Sequence, residues 1–242
     1  IKSSYILTFS EARSLEISDI SFEHSEMQSN HYFLDVTLTE SIVIRNCNFT
    51  NGEANNLYGD FFLRIKGSTN ALIDSIIMRD YVIQHEAFNY FFIFEVTGTL
   101  EVSSIQFINN NFQSKAYIFS FIGQETTING LTFNENTFLG GPKSRLPMIG
   151  LVCNNSNNNG GDIVTNIEAK GNKFGEFVTF FAAESSTTGT RLDLTNFAFQ
   201  ANEFLLESST MIEEIEVIKI LGIDIFRTQN LQFSDLDRKS VV

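Results

Sequence analysis

The chain has 242 residues and a formal net charge of −13, because 29 acidic residues outnumber 16 basic ones. An acidic protein repels a phosphate backbone, which excludes nucleic acid as a partner. No apolar run reaches the roughly 18 residues that a membrane span needs, so we expect no such span within this segment.

The first repeat unit contains two predicted strands, a short one in YILTF from Tyr5 and a longer one in LEISDISF from Leu15. Apolar residues at two-residue spacing are typical of strands, whose alternate side chains leave opposite faces. A two-residue gap inside the longer pattern shifts that phase by one residue, and therefore predicts a corner. The longer pattern returns at Ile42–Phe49, Leu72–Met78, Leu100–Phe112, Thr127–Phe138, Ile163–Phe174, Leu192–Phe204 and, more loosely, Thr228–Phe233.

The repeat period decides the fold class. Equivalent positions such as Ile44, Ile73 and Val102 recur about every thirty residues, which indicates a solenoid, propeller or array. Helical spacing is almost absent from the units, and two-residue hairpin turns are sparse. The sequence therefore predicts an all-β, single-stranded parallel β-helix of about eight turns, which forms one domain over residues 1–242.

Two columns of side chains are predicted to face inward. The central inward place holds Ile20, Cys47, Ile76, Ile105, Leu131, Ile167, Phe197 and Leu231. The next inward place holds Phe22, Phe49, Met78, Phe107, Phe133, Ala169, Phe199 and Phe233. Four units add a row of asparagines and a row of phenylalanines, which are Asn110, Asn136, Asn172 and Asn202, then Phe112, Phe138, Phe174 and Phe204. We expect each asparagine to turn the backbone in a left-handed conformation, with its amide bonded to the amides above and below.

Two loops and one short helix interrupt the repeat. Gly, Pro and Asn clusters predict inserted loops near 139–147 and 154–162, in the sixth unit. The spacing in LLESSTMIEEIE predicts a short helix near 208–216. The chain starts within a unit and lacks a signal peptide, so we expect it to be a fragment of a longer protein.

The turn length, the spacing of strands and corners, and the asparagine row followed by phenylalanines resemble the right-handed parallel β-helix of the pectin-lyase-like superfamily. The resemblance implies polysaccharide lyases or hydrolases among its relatives. Arg64-Ile65-Lys66 looks like a substrate-binding motif of polygalacturonases, but the N-T-D, G-D-D and G-H-G motifs of that family are absent. The alternative for Arg64 is an ion pair with Asp35, which occupies the matching outward place in the preceding turn.

Few other residues indicate chemistry. Sequons begin at Asn48 and Asn154, where a glycan could be attached on a secreted protein. Cys47 and Cys153 lie four rungs apart and should not be bonded to each other. The three histidines have no metal-ligand spacing, and we expect no metal, cofactor or catalytic residue. A candidate contact row precedes the short strands, at Tyr5, Tyr32, Phe61, Phe91 and Tyr117, and is either an exposed surface for a partner or part of the core.

Two classes of function are compatible with this pattern. We favour a non-catalytic extracellular or cell-surface scaffold used in structure, adhesion or assembly, with neighbouring copies, another protein or a carbohydrate as partner. The alternative is a polysaccharide-active enzyme whose site lies in a groove beside the loops of the sixth unit. A groove lined by convergent carboxylates would favour the enzyme, and a wall with exposed aromatic residues would favour the scaffold.

Overall fold

The chain folds as a parallel β-solenoid, which confirms the predicted all-β class and the parallel β-helix architecture. The computed structural model describes residues 7–23, 26–27, 33–54, 61–83, 90–113, 118–140, 147–154, 161–176, 179–207 and 216–241. Over these ranges the regular elements are strands, with no helix. Accordingly, no helix that could cross a membrane occurs there.

The strands follow one another in short groups, one group for each coil. Their bounds are β1 (Leu7–Ser10), β2 (Ser14–Ser18), β3 (Ser21–Glu23), β4 (Glu26–Met27), β5 (Leu34–Thr37), β6 (Ser41–Thr50), β7 (Glu53–Ala54), β8 (Leu63–Ser68), β9 (Asn70–Arg79), β10 (Val82–Ile83), β11 (Phe92–Val96), β12 (Thr99–Ile108), β13 (Asn111–Phe112), β14 (Phe119–Gly123), β15 (Glu125–Asn134), β16 (Thr137–Gly140), β17 (Ile149–Cys153), β18 (Asp162–Lys170), β19 (Lys173–Glu176), β20 (Thr179–Glu184), β21 (Arg191–Gln200), β22 (Glu203–Glu207), β23 (Glu216–Leu221), β24 (Ile225–Ser234) and β25 (Asp237–Val241).

Three parallel sheets run along the solenoid. The first sheet has the order β1-β5-β8-β11-β14-β17-β20-β23, and the short-strand sheet has the order β4-β7-β10-β13-β16-β19-β22-β25. The bent sheet consists of β2-β6-β9-β12-β15-β18-β21-β24, with β3 paired to β6 beside β2. Each strand therefore pairs with the equivalent strand of the next coil, as the thirty-residue period requires.

The strands of the bent sheet contain the phase shift that the sequence assigned to a corner. In β12, Leu100 and Val102 face the interior, and Ile105 and Phe107 face it again after the shift. Ser104 is the extra residue that causes this shift. It has a φ of 56° and is skipped in the pairing with β15, but the strand continues on both sides of it. The predicted corner is therefore wrong at this point, because one left-handed residue bends a continuous strand. The same bend recurs at Asp19, Asn46, Ser75, Gly130, Asn166, Asn196 and Asn230.

The predicted inward columns fill the interior from β6 to β21, and their register is confirmed. Leu231 and Phe233 on β24 pair in the predicted register but are 37% and 45% exposed, so the predicted burial is wrong for this coil. Cys47 pairs with Ile76 and Phe107 with Phe133, and both pairs lie in the columns expected. The rings of Phe107 and Phe133 stack with centroids 5.4 Å apart. Burial of each phenylalanine stabilises the fold through the hydrophobic effect. Each aromatic pair adds about 0.5–1.5 kcal/mol of stability beyond that burial.

The four asparagines of the predicted row lie in one buried column, at the corner between the bent sheet and the short-strand sheet. Asn110 and Asn136 are joined by an amide hydrogen bond of 3.0 Å, and equal bonds continue through Asn172 to Asn202. The backbone part of the prediction is wrong, since the left-handed residue is the one before each asparagine. These preceding residues are Asn109, Glu135, Gly171 and Ala201. At each corner the left-handed residue turns the chain, and the asparagine that follows it hydrogen-bonds to the buried polar groups.

Ion pairs link neighbouring coils on the outer surface of the bent sheet. Arg45 on β6 donates to Glu16 on β2 with 2.5 Å between Nη2 and Oε1, and both side chains are about half exposed.

Replacing Arg45 with glutamine should lower the free energy of unfolding by at most about 1 kcal/mol, because water and salt screen exposed pairs. Denaturant titration at low and high salt would measure this, and the difference from wild type should shrink at high salt. A loss of several kcal/mol that salt leaves unchanged would contradict the prediction.

The predicted interruptions fall largely outside the described ranges. Residues 141–146 and 155–160 of the two loops lie outside them, while β16 continues to Gly140 and β18 begins at Asp162. The predicted helix also lies outside, except for Glu216, where β23 begins.

Candidate functional site

The members of the candidate contact row do not share one environment in the structure. Tyr5, Tyr32 and Tyr117 lie outside the described residues, Phe61 is 4% exposed and Phe91 is fully buried. The Phe91 ring stacks on that of Phe62 with centroids 4.8 Å apart, so Phe91 belongs to the interior.

The residue equivalent to Phe61 is therefore Tyr90, because each comes directly before one ring of the stacked Phe62–Phe91 pair. The Arg64 guanidinium covers the Phe61 ring at 4.2 Å from its centroid, whereas Tyr90 is half-buried.

Tyr90 lines a groove on the outer face of the first sheet. The groove has a volume of about 310 Å³ and crosses β14, β17, β20 and β23. We call it the outer groove and define it by Tyr90, Ser120, Gly150, Ala182, Glu184 and Lys219. One of the strands that it crosses, β17, lies between the two loops predicted for the sixth unit.

Short side chains on successive strands form the floor of the outer groove. Ser120, Gly150, Ala182 and Lys219 occupy one outward row in register. Earlier coils fill the same row with Asp35, Arg64 and Ile93. The surface therefore becomes lower where serine, glycine and alanine replace larger residues.

Gly150 determines where Tyr90 lies. A Cβ atom at position 150 would lie 2.6 Å from the Tyr90 Oη atom and 3.2 Å from its Cζ atom. Such distances are shorter than van der Waals contact, so any side chain at position 150 would displace the tyrosine ring. The glycine thus lets Tyr90 lie directly against the sheet.

The outer groove has one acidic and one basic lining residue among those described. Glu184 on β20 is exposed, and Lys219 on β23 is half-buried and in register with Ala182. Glycoside hydrolysis by the usual two-carboxylate mechanism needs a second carboxyl group on the other side of the scissile bond. The described lining supplies only Glu184.

The motif Arg64-Ile65-Lys66 contributes to links between coils. Arg64 forms a two-pronged pair with Asp35, at 2.9 Å from Nε and 2.7 Å from Nη2. Lys66 lies 3.3 Å from the Glu95 carboxylate on the next coil. The ion-pair alternative for Arg64 is therefore confirmed.

A buried polar cluster lies where β17 ends and β18 begins. It contains Cys153, Asp162 and Thr126, all fully buried. The Thr126 N–H donates to Asp162 Oδ1 at 2.8 Å, while Asp162 Oδ2 and Thr126 Oγ1 have no hydrogen-bond partner. Burial raises the pKa of the Asp162 carboxyl above its usual range. Burial also raises the pKa of the Cys153 thiol, and the neighbouring Asp162 carboxylate raises it further. The thiol is therefore kept protonated and unreactive.

The sequon asparagines lie on the surface. Asn48 is exposed on the outer side of β6, and Asn154 is exposed just after β17. Cys47 and Cys153 are both free and buried.

No group of three or more potential metal ligands occurs in the described part of the chain, and the three histidines lie outside it. Comparison with models of known families, with curated proteins and with solved structures gives no match.

Proposed function

We propose that the chain is a non-catalytic β-solenoid scaffold at the cell surface or outside the cell, where it serves structure, adhesion or assembly. Its partners would be neighbouring copies, another protein or a carbohydrate. A place in the pectin-lyase-like superfamily is part of the proposal and is supported by the repeat of parallel strands about every thirty residues and by the asparagine row.

The observation that carries this proposal is the continuous link from coil to coil. Every strand of the bent sheet pairs in register with the next, from β2 through β24. The same interfaces contain the buried asparagine column and stacked phenylalanines such as Phe138 on Phe174, at 5.2 Å. Contacts repeated in this way favour a stiff rod, whose outer faces are available to other molecules. The exposed positions of Asn48 and Asn154 support a secreted location.

A polysaccharide-active enzyme is the second candidate, and the outer groove is the observation that favours it. Glu184 is the residue that would serve as an acid or base there.

The purified chain should leave both acidic and neutral polysaccharides intact. Reducing-end and unsaturated-end assays over a long incubation would measure cleavage. Polysaccharide cleavage that disappears in Glu184→Gln but is retained in Asp74→Asn, on the bent sheet, would overturn the scaffold proposal and establish an enzyme.

A further inference from the structure

We propose that the outer groove is a binding site for a neutral saccharide chain. The inference rests on the proposed non-catalytic function and adds the chemical class of the ligand. It depends on the shape of the groove, on its charges and on the hydrogen bonding of the sheet beneath it.

The shape of the outer groove fits an extended ligand. Ser120 and Lys219 lie on strands three spacings apart, which places them about 14 Å from each other at ~4.8 Å per strand. The volume of about 310 Å³ lies at the lower end of the range of small-molecule sites. A short stretch of a saccharide chain therefore fits along the solenoid axis.

The lining combines an aromatic surface with polar groups that hydrogen-bond. Tyr90 has an apolar ring and a polar tip, and its tip lies against Gly150 in the floor of the groove, which Ala182 continues. Ser120, Glu184 and Lys219 add donors and acceptors around that floor. Sugar rings have the matching chemistry, since their C–H faces pack on aromatic rings and their hydroxyls both donate and accept.

The charges favour an uncharged ligand. Glu184 and Lys219 contribute one charge of each sign to the lining. The whole chain has a formal net charge of −13, which repels polyanions such as uronic-acid polymers. A neutral saccharide avoids that repulsion.

The sheet beneath the groove disfavours an extended peptide. Peptides commonly bind to sheets by adding a strand at a free edge. Here β14, β17 and β20 each pair with a neighbour on both sides, so their backbone groups are already used. Recognition must therefore come from side chains, as it does for saccharides.

Isothermal titration of the intact chain with neutral cello-, malto-, manno- and xylo-oligosaccharides, and with a uronic-acid oligosaccharide, would test the proposal. We expect at least one neutral series to bind, with an affinity that changes little between low and high salt. Tyr90→Ala should weaken binding about tenfold or more, and Gly150→Ala should weaken it too because it displaces the tyrosine ring.

Leu72→Ala is the matched control, because Leu72 is an exposed apolar residue on the bent sheet, away from the groove. Thermal unfolding would establish that each variant is folded. The proposal is overturned if no neutral series binds, if the acidic probe binds more tightly, or if Leu72→Ala weakens binding as much as Tyr90→Ala. None of these outcomes bears on cleavage, so the two proposals fail separately.

Discussion

Replacing Asn136 with alanine should lower the free energy of unfolding by about 3 kcal/mol or more. Asn136 is fully buried at the centre of the asparagine column. Its Oδ1 accepts from the Asn110 N–H at 2.9 Å and from the Asn110 amide at 3.0 Å, and its Nδ2 donates to the Phe107 carbonyl at 2.9 Å. Alanine would remove these three hydrogen bonds and a fourth, from Asn136 Nδ2 to Asn172 Oδ1 at 3.0 Å, at about 0.5–1.5 kcal/mol each. The Asn110 N–H would also lose its side-chain acceptor.

Denaturant titration would measure the loss, and amide hydrogen exchange would locate it. The Asn110 N–H should lose protection in the variant, because its acceptor is the removed side chain. Amides of the first sheet should retain their relative order of protection.

Asn129→Ala is the matched control for Asn136→Ala. Asn129 lies in the same coil, but its side chain is exposed and accepts a single bond of 2.7 Å from Asn166. We expect a change within about 0.5 kcal/mol for this surface substitution. Equal losses in the two variants would show that the buried column contributes nothing special to stability.

The interior could be predicted from the sequence because it follows from apolar spacing. The columns through Cys47 and Phe107 are fixed by two-residue periodicity and by the repeat length, and a shift of one residue would expose them. The same pattern did not distinguish a bend from a corner. A Ser, Asn, Asp or Gly at each bend, including Ser104 and Gly130, was the available signal, since these residues tolerate a left-handed backbone better than most.

The outer groove was harder to predict, since it depends on register between coils rather than on any motif. Three consecutive aromatic residues, Tyr90, Phe91 and Phe92, allowed two alignments with Phe61 and Phe62. Only the pairing of Leu63 with Phe92 shows that Tyr90 faces outward. The run of small residues from Ser120 to Ala182 becomes visible only when those strands are aligned.

The polar cluster was also missed, because Thr126 and Asp162 occupy an inward place that is apolar in most coils. That place holds Leu100 and Leu192 in neighbouring coils. A carboxyl group at an apolar inward place is therefore a signal that an alignment of the repeats would provide.

The Asp162 carboxyl should make stability fall as pH rises. Burial is the main cause of its raised pKa, partly offset by the neighbouring Cys153 thiol and by Thr126, whose N–H donates to Oδ1, and the nearby Glu125 raises it slightly. A group whose pKa is higher in the folded state contributes its stability below the unfolded value, about 3.9 for aspartate. That contribution is lost progressively as the pH rises from there through the folded pKa.

Asp162→Asn should therefore stabilise the chain at neutral pH by about 1–3 kcal/mol. The asparagine oxygen can still accept from the Thr126 N–H, and its amide can donate to the Thr126 hydroxyl or the Cys153 sulfur, so the buried orphan group disappears. Thermal unfolding from pH 4 to pH 8 would measure this, with a shift of about 2–4 °C for each kcal/mol in a chain of this size. The variant should be more stable than wild type at pH 8, and the difference should shrink towards pH 4.

Asp74→Asn is the control. Asp74 is an outward aspartate on the same sheet that accepts a hydrogen bond from the Ser103 hydroxyl, and its replacement should stay within about 0.5 kcal/mol of wild type. A variant that is less stable than wild type at pH 8 would mean that the ionised carboxylate is satisfied in the folded chain.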